Sequence, residues 1–226
     1  TYKVDDGEAT ESRNATDLLT VSRASTKMVQ GPNGLLREVS TNTIGREWKD
    51  GKCQGALIEE QRTNLLTYSE QFVEPAWSKD GVTLSSNVAT APDGALTADL
   101  VESPNNHDDR LKQLISITDS GQKFSWSVFV KEGSSGFAKL RCVLSGGTTV
   151  QILGNTFDFS TESFIEDISG TAAFEKLSDG WYRISASVTS NGSGHDTAQM
   201  WLTASSDATG TLTGTAYFWG AQLEEV

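Results

Sequence analysis

The run KFSWSVFVK, residues 123–131, alternates large apolar side chains with small polar ones. Phe124, Trp126, Val128 and Val130 fall on one side of an extended chain, and Ser125 and Ser127 on the other. Successive side chains point to opposite faces only in a strand, so a period of two predicts a half-buried antiparallel strand. The pattern recurs. Leu140, Cys142 and Leu144 share a face within 137–145, and Tyr182, Ile184, Ala186 and Val188 oppose Arg183, Ser185 and Ser187. Tyr217, Trp219, Ala221 and Leu223 are read as one face of a last strand. Turn clusters separate these stretches: Pro92-Asp93-Gly94, Asp119-Ser120-Gly121, Gly133-Ser134-Ser135-Gly136, Ser178-Asp179-Gly180 and Asn191-Gly192-Ser193-Gly194. Strands spaced in this way predict an all-β fold of two packed antiparallel sheets. The chain has four prolines, and their near absence from the strand stretches leaves the ladders intact.

Upstream of Gly81 the pattern differs. Residues 1–19, TYKVDDGEATESRNATDLL, are polar and acidic without periodicity and read as an arm that orders on meeting a partner. From Thr20 to Asp50 short apolar groups such as Leu35-Leu36 and Val39 stand between turn signals and predict small strands or hairpins. Residues 55–72 mix helix-forming and extended signals. They are read as two extended pieces followed by a short helical turn capped by Ser69.

Composition narrows the function. Hydrophobic residues make up 36 % of the 226, enough for a core. No apolar run approaches the roughly 18 residues that would suggest membrane insertion. A net charge of -12 argues against nucleic acid, because no basic stripe is evident to release phosphate counterions. Cys53 and Cys142 form no CxxC pair and read as small buried thiols, and His107 and His195 lack metal-ligand spacing. The start at Thr1 shows neither a charged nor an apolar leader region, so no secretory signal is expected.

The chain contains the runs Thr20-Val-Ser-Arg-Ala-Ser-Thr26, Asn33-Gly-Leu-Leu36, Asn42-Thr43, Gly55-Ala-Leu-Ile-Glu-Glu-Gln-Arg-Thr-Asn-Leu-Leu66 and Tyr68-Ser-Glu-Gln-Phe72 with Trp77. Asp179-Gly-Trp-Tyr-Arg183 and Phe218-Trp-Gly-Ala-Gln-Leu-Glu224 complete the set. Together these motifs resemble a module of tailed-bacteriophage structural proteins found in tail fibres, tail spikes and other appendages. The resemblance runs from about residue 20 to the end. It implies a jelly-roll sandwich similar to carbohydrate-binding modules behind a small β-rich lead-in: an arm over 1–19, a lead-in over 20–62 and the sandwich over 63–226. It further implies a virion location, other virion proteins and a host-surface glycan as partners, and a homo-oligomer with a trimer as first guess. Modules of this shape often hold a structural calcium. Glu70 matches one expected acidic position, whereas Gly220-Ala221 stand where the second acid is usual.

A glycan site needs an exposed aromatic platform with hydrogen-bonding groups around it. Trp126 and Trp219 fall in phase with the apolar stripes and are read as core, and Trp181 as a packing residue at a turn exit. Trp201 falls out of phase with Met200 and Leu202, and Phe129 out of phase with Val128 and Val130, so both are platform candidates. Trp77 and Trp48, in loop-like sequence, are further candidates. The polar segment Pro104–Arg110 adds Asn106, His107, Asp108, Asp109 and Arg110, which suit hydroxyls or an oxygen-ligated cation. Catalysis is not expected. The adjacent pairs Glu59-Glu60 and Glu166-Asp167 point to opposite faces of a strand, and Glu59 with Arg62 reads as an ion pair. The expectation is a virion protein with host-glycan binding; the alternatives are a purely structural decoration or connector and, less favoured, a polysaccharide-degrading enzyme.

Overall fold

The computed structural model describes residues 20–49, 51–58, 62–104, 109–167, 171–205 and 213–226. The arm at 1–19, the Glu59-Glu60 pair and Asn106, His107 and Asp108 lie outside these residues. The chain divides into two units, residues 1–60 and 61–226.

The first unit contains two hairpins. Strands β1 (Lys27–Gln30) and β2 (Leu36–Val39) pair antiparallel, as do β3 (Arg46–Lys49) and β4 (Lys52–Ala56). Pro32-Asn33-Gly34 makes the first turn, where Gly34 takes φ +80° and Gly31 N–H donates to the Leu35 carbonyl. Val29 and Val39 bury the hairpin's apolar face. Trp48 lies on β3 instead of in a loop, and Cys53 is exposed, because β4 turns no face into a core.

The second unit is a sandwich of β5 (Ser78–Asp80), β6 (Thr83–Thr90), β7 (Leu96–Ser103), β8 (Arg110–Ser116), β9 (Lys123–Glu132), β10 (Phe137–Ser145), β11 (Gln151–Asp158), β12 (Ser163–Asp167), β13 (Ala173–Lys176), β14 (Trp181–Thr189), β15 (Thr197–Thr203) and β16 (Gly214–Glu225). Six strands form a front sheet in the order β12-β11-β10-β15-β8-β5, and six a back sheet in the order β13-β14-β9-β16-β7-β6. The chain passes repeatedly from one sheet to the other and every pairing is antiparallel, which makes the unit a jelly roll. Among the described residues the only helical segment is a three-residue 3₁₀ turn, Ser178–Gly180.

The stripes meet between the sheets as the alternation requires. Phe124, Trp126, Val128 and Val130 of β9 face Leu140, Cys142 and Leu144 of β10, and Ile184 and Met200 join them. Each such side chain withdrawn from water stabilises the fold by about 1.5–3 kcal/mol.

Three further sequence expectations fail in the sandwich. First, residues 66–77 form no capped helical turn. Gln71 N–H reaches the Tyr68 carbonyl, Glu74 the Gln71 carbonyl and Trp77 the Glu74 carbonyl, a succession of tight turns. Ser69 Oγ instead accepts from the Asn64 amide. The turns swing Phe72 and Trp77 into the core, where their rings meet edge-on at 4.9 Å. Second, β16 does not keep one phase. Trp219 pairs with Phe129 but Gln222 with Ser127, an extra residue centred on Gly220 at φ +61°. This bulge lets Phe218, Ala221 and Leu223 face the core and leaves Tyr217 and Trp219 on the opposite side. Third, Trp219 is buried, but by Phe129 on the back sheet's outer face, their rings 5.4 Å apart.

Candidate functional site

The inward stripes fix what the front sheet shows on its other side. Since Leu140, Cys142 and Leu144 point in, Lys139, Arg141 and Val143 point out; since Met200 and Leu202 point in, Gln199, Trp201 and Thr203 point out. Arg110, Lys112 and Leu114 of β8 follow the same logic around Leu111 and Gln113. Register aligns these residues in rows across the strands. One row is Gly154, Arg141, Trp201, Lys112 and Ser78. The next is Ile152, Val143, Gln199 and Leu114. On the other side Lys139 lies between Thr156 and Thr203.

Trp201, half-buried, is the centre of this surface. The Arg110 guanidinium lies 4.3 Å from its ring centroid and that of Arg141 5.7 Å away. Its indole N–H donates to Gln199 Oε1 at 3.1 Å. Guanidinium on indole is an attractive pairing, so the ring fixes the arginines as much as it offers a platform. Asp80 on β5 reaches Lys112 Nζ at 2.6 Å and Arg110 Nε at 3.5 Å, and the Lys112 hydrogen bond holds its carboxyl below the usual carboxylate range. Leu114 and Ile152 are exposed at the ends of the neighbouring row.

Trp77, Phe129 and Asp109 do not converge here. Trp77 is 1 % exposed and its indole N–H donates to the Tyr68 carbonyl, so it is a core residue. Phe129 is 8 % exposed on the other sheet, covered by Trp219 and close to Arg183, and offers no open platform. Asp109 is buried against Gly81, where an added Cβ would come within 2.2 Å of its carboxylate. Of the described residues of the polar segment, Arg110 lies on the surface described above. Lys112, Lys139, Arg141 and Gln199 were not singled out from the sequence. They occupy the alternate positions of stripes that mark them only as outward-facing.

Glu70 is half-buried. Burial, and after it the nearby Asp93 carboxylate, push its carboxyl up. No cluster of three or more His, Cys, Asp or Glu residues suited to a metal occurs among the described residues. Two mutually repelling carboxylates do not by themselves make the six-to-eight-oxygen cage that calcium takes.

A second polar cluster has the connectivity of a hydrolytic triad. Ser193 Oγ lies 3.0 Å from His195 Nε2, and His195 Nδ1 3.1 Å from Asp119 Oδ2. Its backbone donors are already engaged. Ser193 N–H binds Asn191 Oδ1, Gly194 and His195 N–H bind Asp119 Oδ2, and Gly192 N–H binds Ser190 Oγ. A developing oxyanion needs free donors beside the nucleophile, so these residues work as a staple between two turns.

An open groove of about 510 Å³ lies elsewhere on the sandwich, lined by Phe159, Tyr182, Tyr217, Lys131 and Glu132.

No family model matches the sequence, and no curated protein matches it. Solved structures of similar shape include the enzymatically active domain of bacteriophage CBA120 tailspike protein 4, at 11 % identity and TM-score 0.45 over 72 % of this chain and 21 % of that one. Another holds the CBM22-1 and GH10 modules of Clostridium thermocellum xylanase 10B with xylohexaose, at 15 % identity and TM-score 0.47 over 74 % and 29 %. A third is the TmCBM61 module with β-1,4-galactotriose, at 10 % identity and TM-score 0.43 over 73 % and 99 %. The chain thus spans about a fifth of the tailspike chain and under a third of the xylanase chain.

Proposed function

We propose that the protein is a bacteriophage virion component, an appendage or decoration protein, whose jelly roll binds a host-surface glycan on the outer face of the front sheet. The observation that carries the binding reading is the row of Arg141, Trp201 and Lys112 beside Gln199, with exposed Leu114 and Ile152 flanking it. Sugars present apolar C–H faces edged by hydroxyls, and this surface supplies apolar contact and fixed donors side by side. The sequence motifs shared with phage appendage modules support the virion setting. Many copies per particle would let weak contacts add through avidity. A trimer is the proposed assembly, by analogy with such appendages, and sedimentation of the full chain tests it.

The test of the binding reading is a glycan array and host-polysaccharide binding, comparing the full chain with Trp201→Ala. Saturable binding lost in the variant, with the melting temperature kept, supports it. Binding that survives Trp201→Ala and disappears in Tyr217→Ala relocates the site to the aromatic groove. Absence of glycan binding, in particles that fail to assemble without the protein, establishes a purely structural role. Release of reducing ends from host polysaccharide establishes a depolymerase.

A further inference from the structure

The front sheet's outer face is cationic on a strongly acidic molecule. The chain carries 18 Lys and Arg against 30 Asp and Glu. Yet Arg110 and Lys112 of β8 and Lys139 and Arg141 of β10 gather on one face, on the two strands that flank β15. Among the described side chains, the acids at outward positions of this sheet include Asp80, which bridges Arg110 and Lys112, and Asp158 at the end of β11, whose carboxylate is taken up by Ser160. The cations are held in place. Lys139 is 3 % exposed, and Arg110 lies against Trp201. Arg141 Nε is enclosed without a hydrogen-bond partner, while the residue opposite it on β11, Gly154, has no side chain to engage it. Like charges aligned in this way repel one another, and an anion placed among them relieves that repulsion. Two guanidiniums fixed by an indole present planar donor forks, which match the two oxygens of a carboxylate.

We infer that the ligand of this face is an acidic polysaccharide, its sugar carboxylates received by Arg110 and Arg141 around the Trp201 ring. The inference rests on the glycan reading above and narrows it. Leu114 and Ile152 take the sugar's apolar faces while the cations take its charge. The surrounding negative potential of the molecule disfavours approach of the same polyanion anywhere else on it.

The experiment measures binding of the full chain to polygalacturonate, alginate and hyaluronate, each beside its carboxyl-reduced neutral derivative, with double-stranded DNA as a polyanion control. The expected result is binding to at least one carboxylated polymer that weakens at least about tenfold on carboxyl reduction, a loss in line with removal of a charged hydrogen bond. That binding also falls with added salt and drops by a similar factor in Arg141→Gln at unchanged melting temperature. Lys123→Gln, which removes one exposed cation from the back sheet, leaves it intact. Equal binding of the reduced polymers overturns the acidic-ligand inference and leaves the glycan reading standing. Equal binding of DNA overturns it as mere polyanion attraction, and absence of binding to every polymer, charged and neutral, overturns both.

Discussion

At the scale of single residues, two groups carry testable energetics. Glu70 holds its proton more tightly in the folded protein than in the unfolded chain, since burial and Asp93 both disfavour its charge. Its ionised form therefore costs stability above the folded pKa, and the cost vanishes as the pH falls below the ordinary carboxylate value. Glu70→Gln is expected to raise the melting temperature at pH 7 in calcium-free buffer and to have little effect near pH 3. A lowered melting temperature at pH 7 would contradict this. Gly220 lies at φ +61°, and a Cβ there would meet the Phe129 ring at 2.9 Å. Gly220→Ala is expected to cost about 1–3 kcal/mol in denaturant unfolding, combining left-handed strain with displacement of the Phe129–Trp219 pair.

Between elements, the turn after β8 and the turn before β15 are joined by Asp119. Its carboxylate accepts from the backbone of Gly121, Gly194 and His195 and lies 3.1 Å from His195 Nδ1. The Ser190 hydroxyl and these backbone donors hold its carboxyl far below the ordinary range. A carboxyl depressed in the folded state stabilises above its unfolded pKa, and that contribution fades as the pH falls through the folded value. Asp119→Asn is expected to melt below the parent at pH 7, with the gap narrowing as both are titrated below about pH 4. A constant gap across that range would assign the loss to packing instead. The bulge in β16 acts at the same scale, since one added residue reverses which side chains face the core.

For the molecule as a whole, many of the residues that suggested a phage module build the sandwich and leave ligand contact to others. The Asn64 side chain donates to the Ala221 carbonyl and accepts from Leu223 N–H, so the Thr63–Leu66 segment is laced to the last strand. Gln113 clasps Thr67 through both its backbone groups, and the Trp181 indole N–H donates to the Thr90 carbonyl. Residues 61–226 thereby close their own core. Expressed alone, this segment is expected to unfold in one cooperative transition, with the same polysaccharide preference as the full chain. A broad, non-cooperative melt would show that the core depends on the first unit.

Alternation alone determined the inward stripes of β9, β10 and β14 and the two-layer arrangement, because a period of two has one way to hide an apolar face. It also marked Trp201 as outward. Pairing across sheets decided the rest. Which outward residues become neighbours depends on register between strands far apart in sequence, as Arg141 to Trp201 and Trp201 to Lys112 illustrate. Whether an out-of-phase aromatic stays accessible depends on what lies over it: Phe129 is capped by Trp219 after a one-residue bulge, and Trp77 is drawn into the core by three successive turns. Local pattern fixes the direction of a side chain relative to its own strand, and only tertiary contacts fix what that side chain meets.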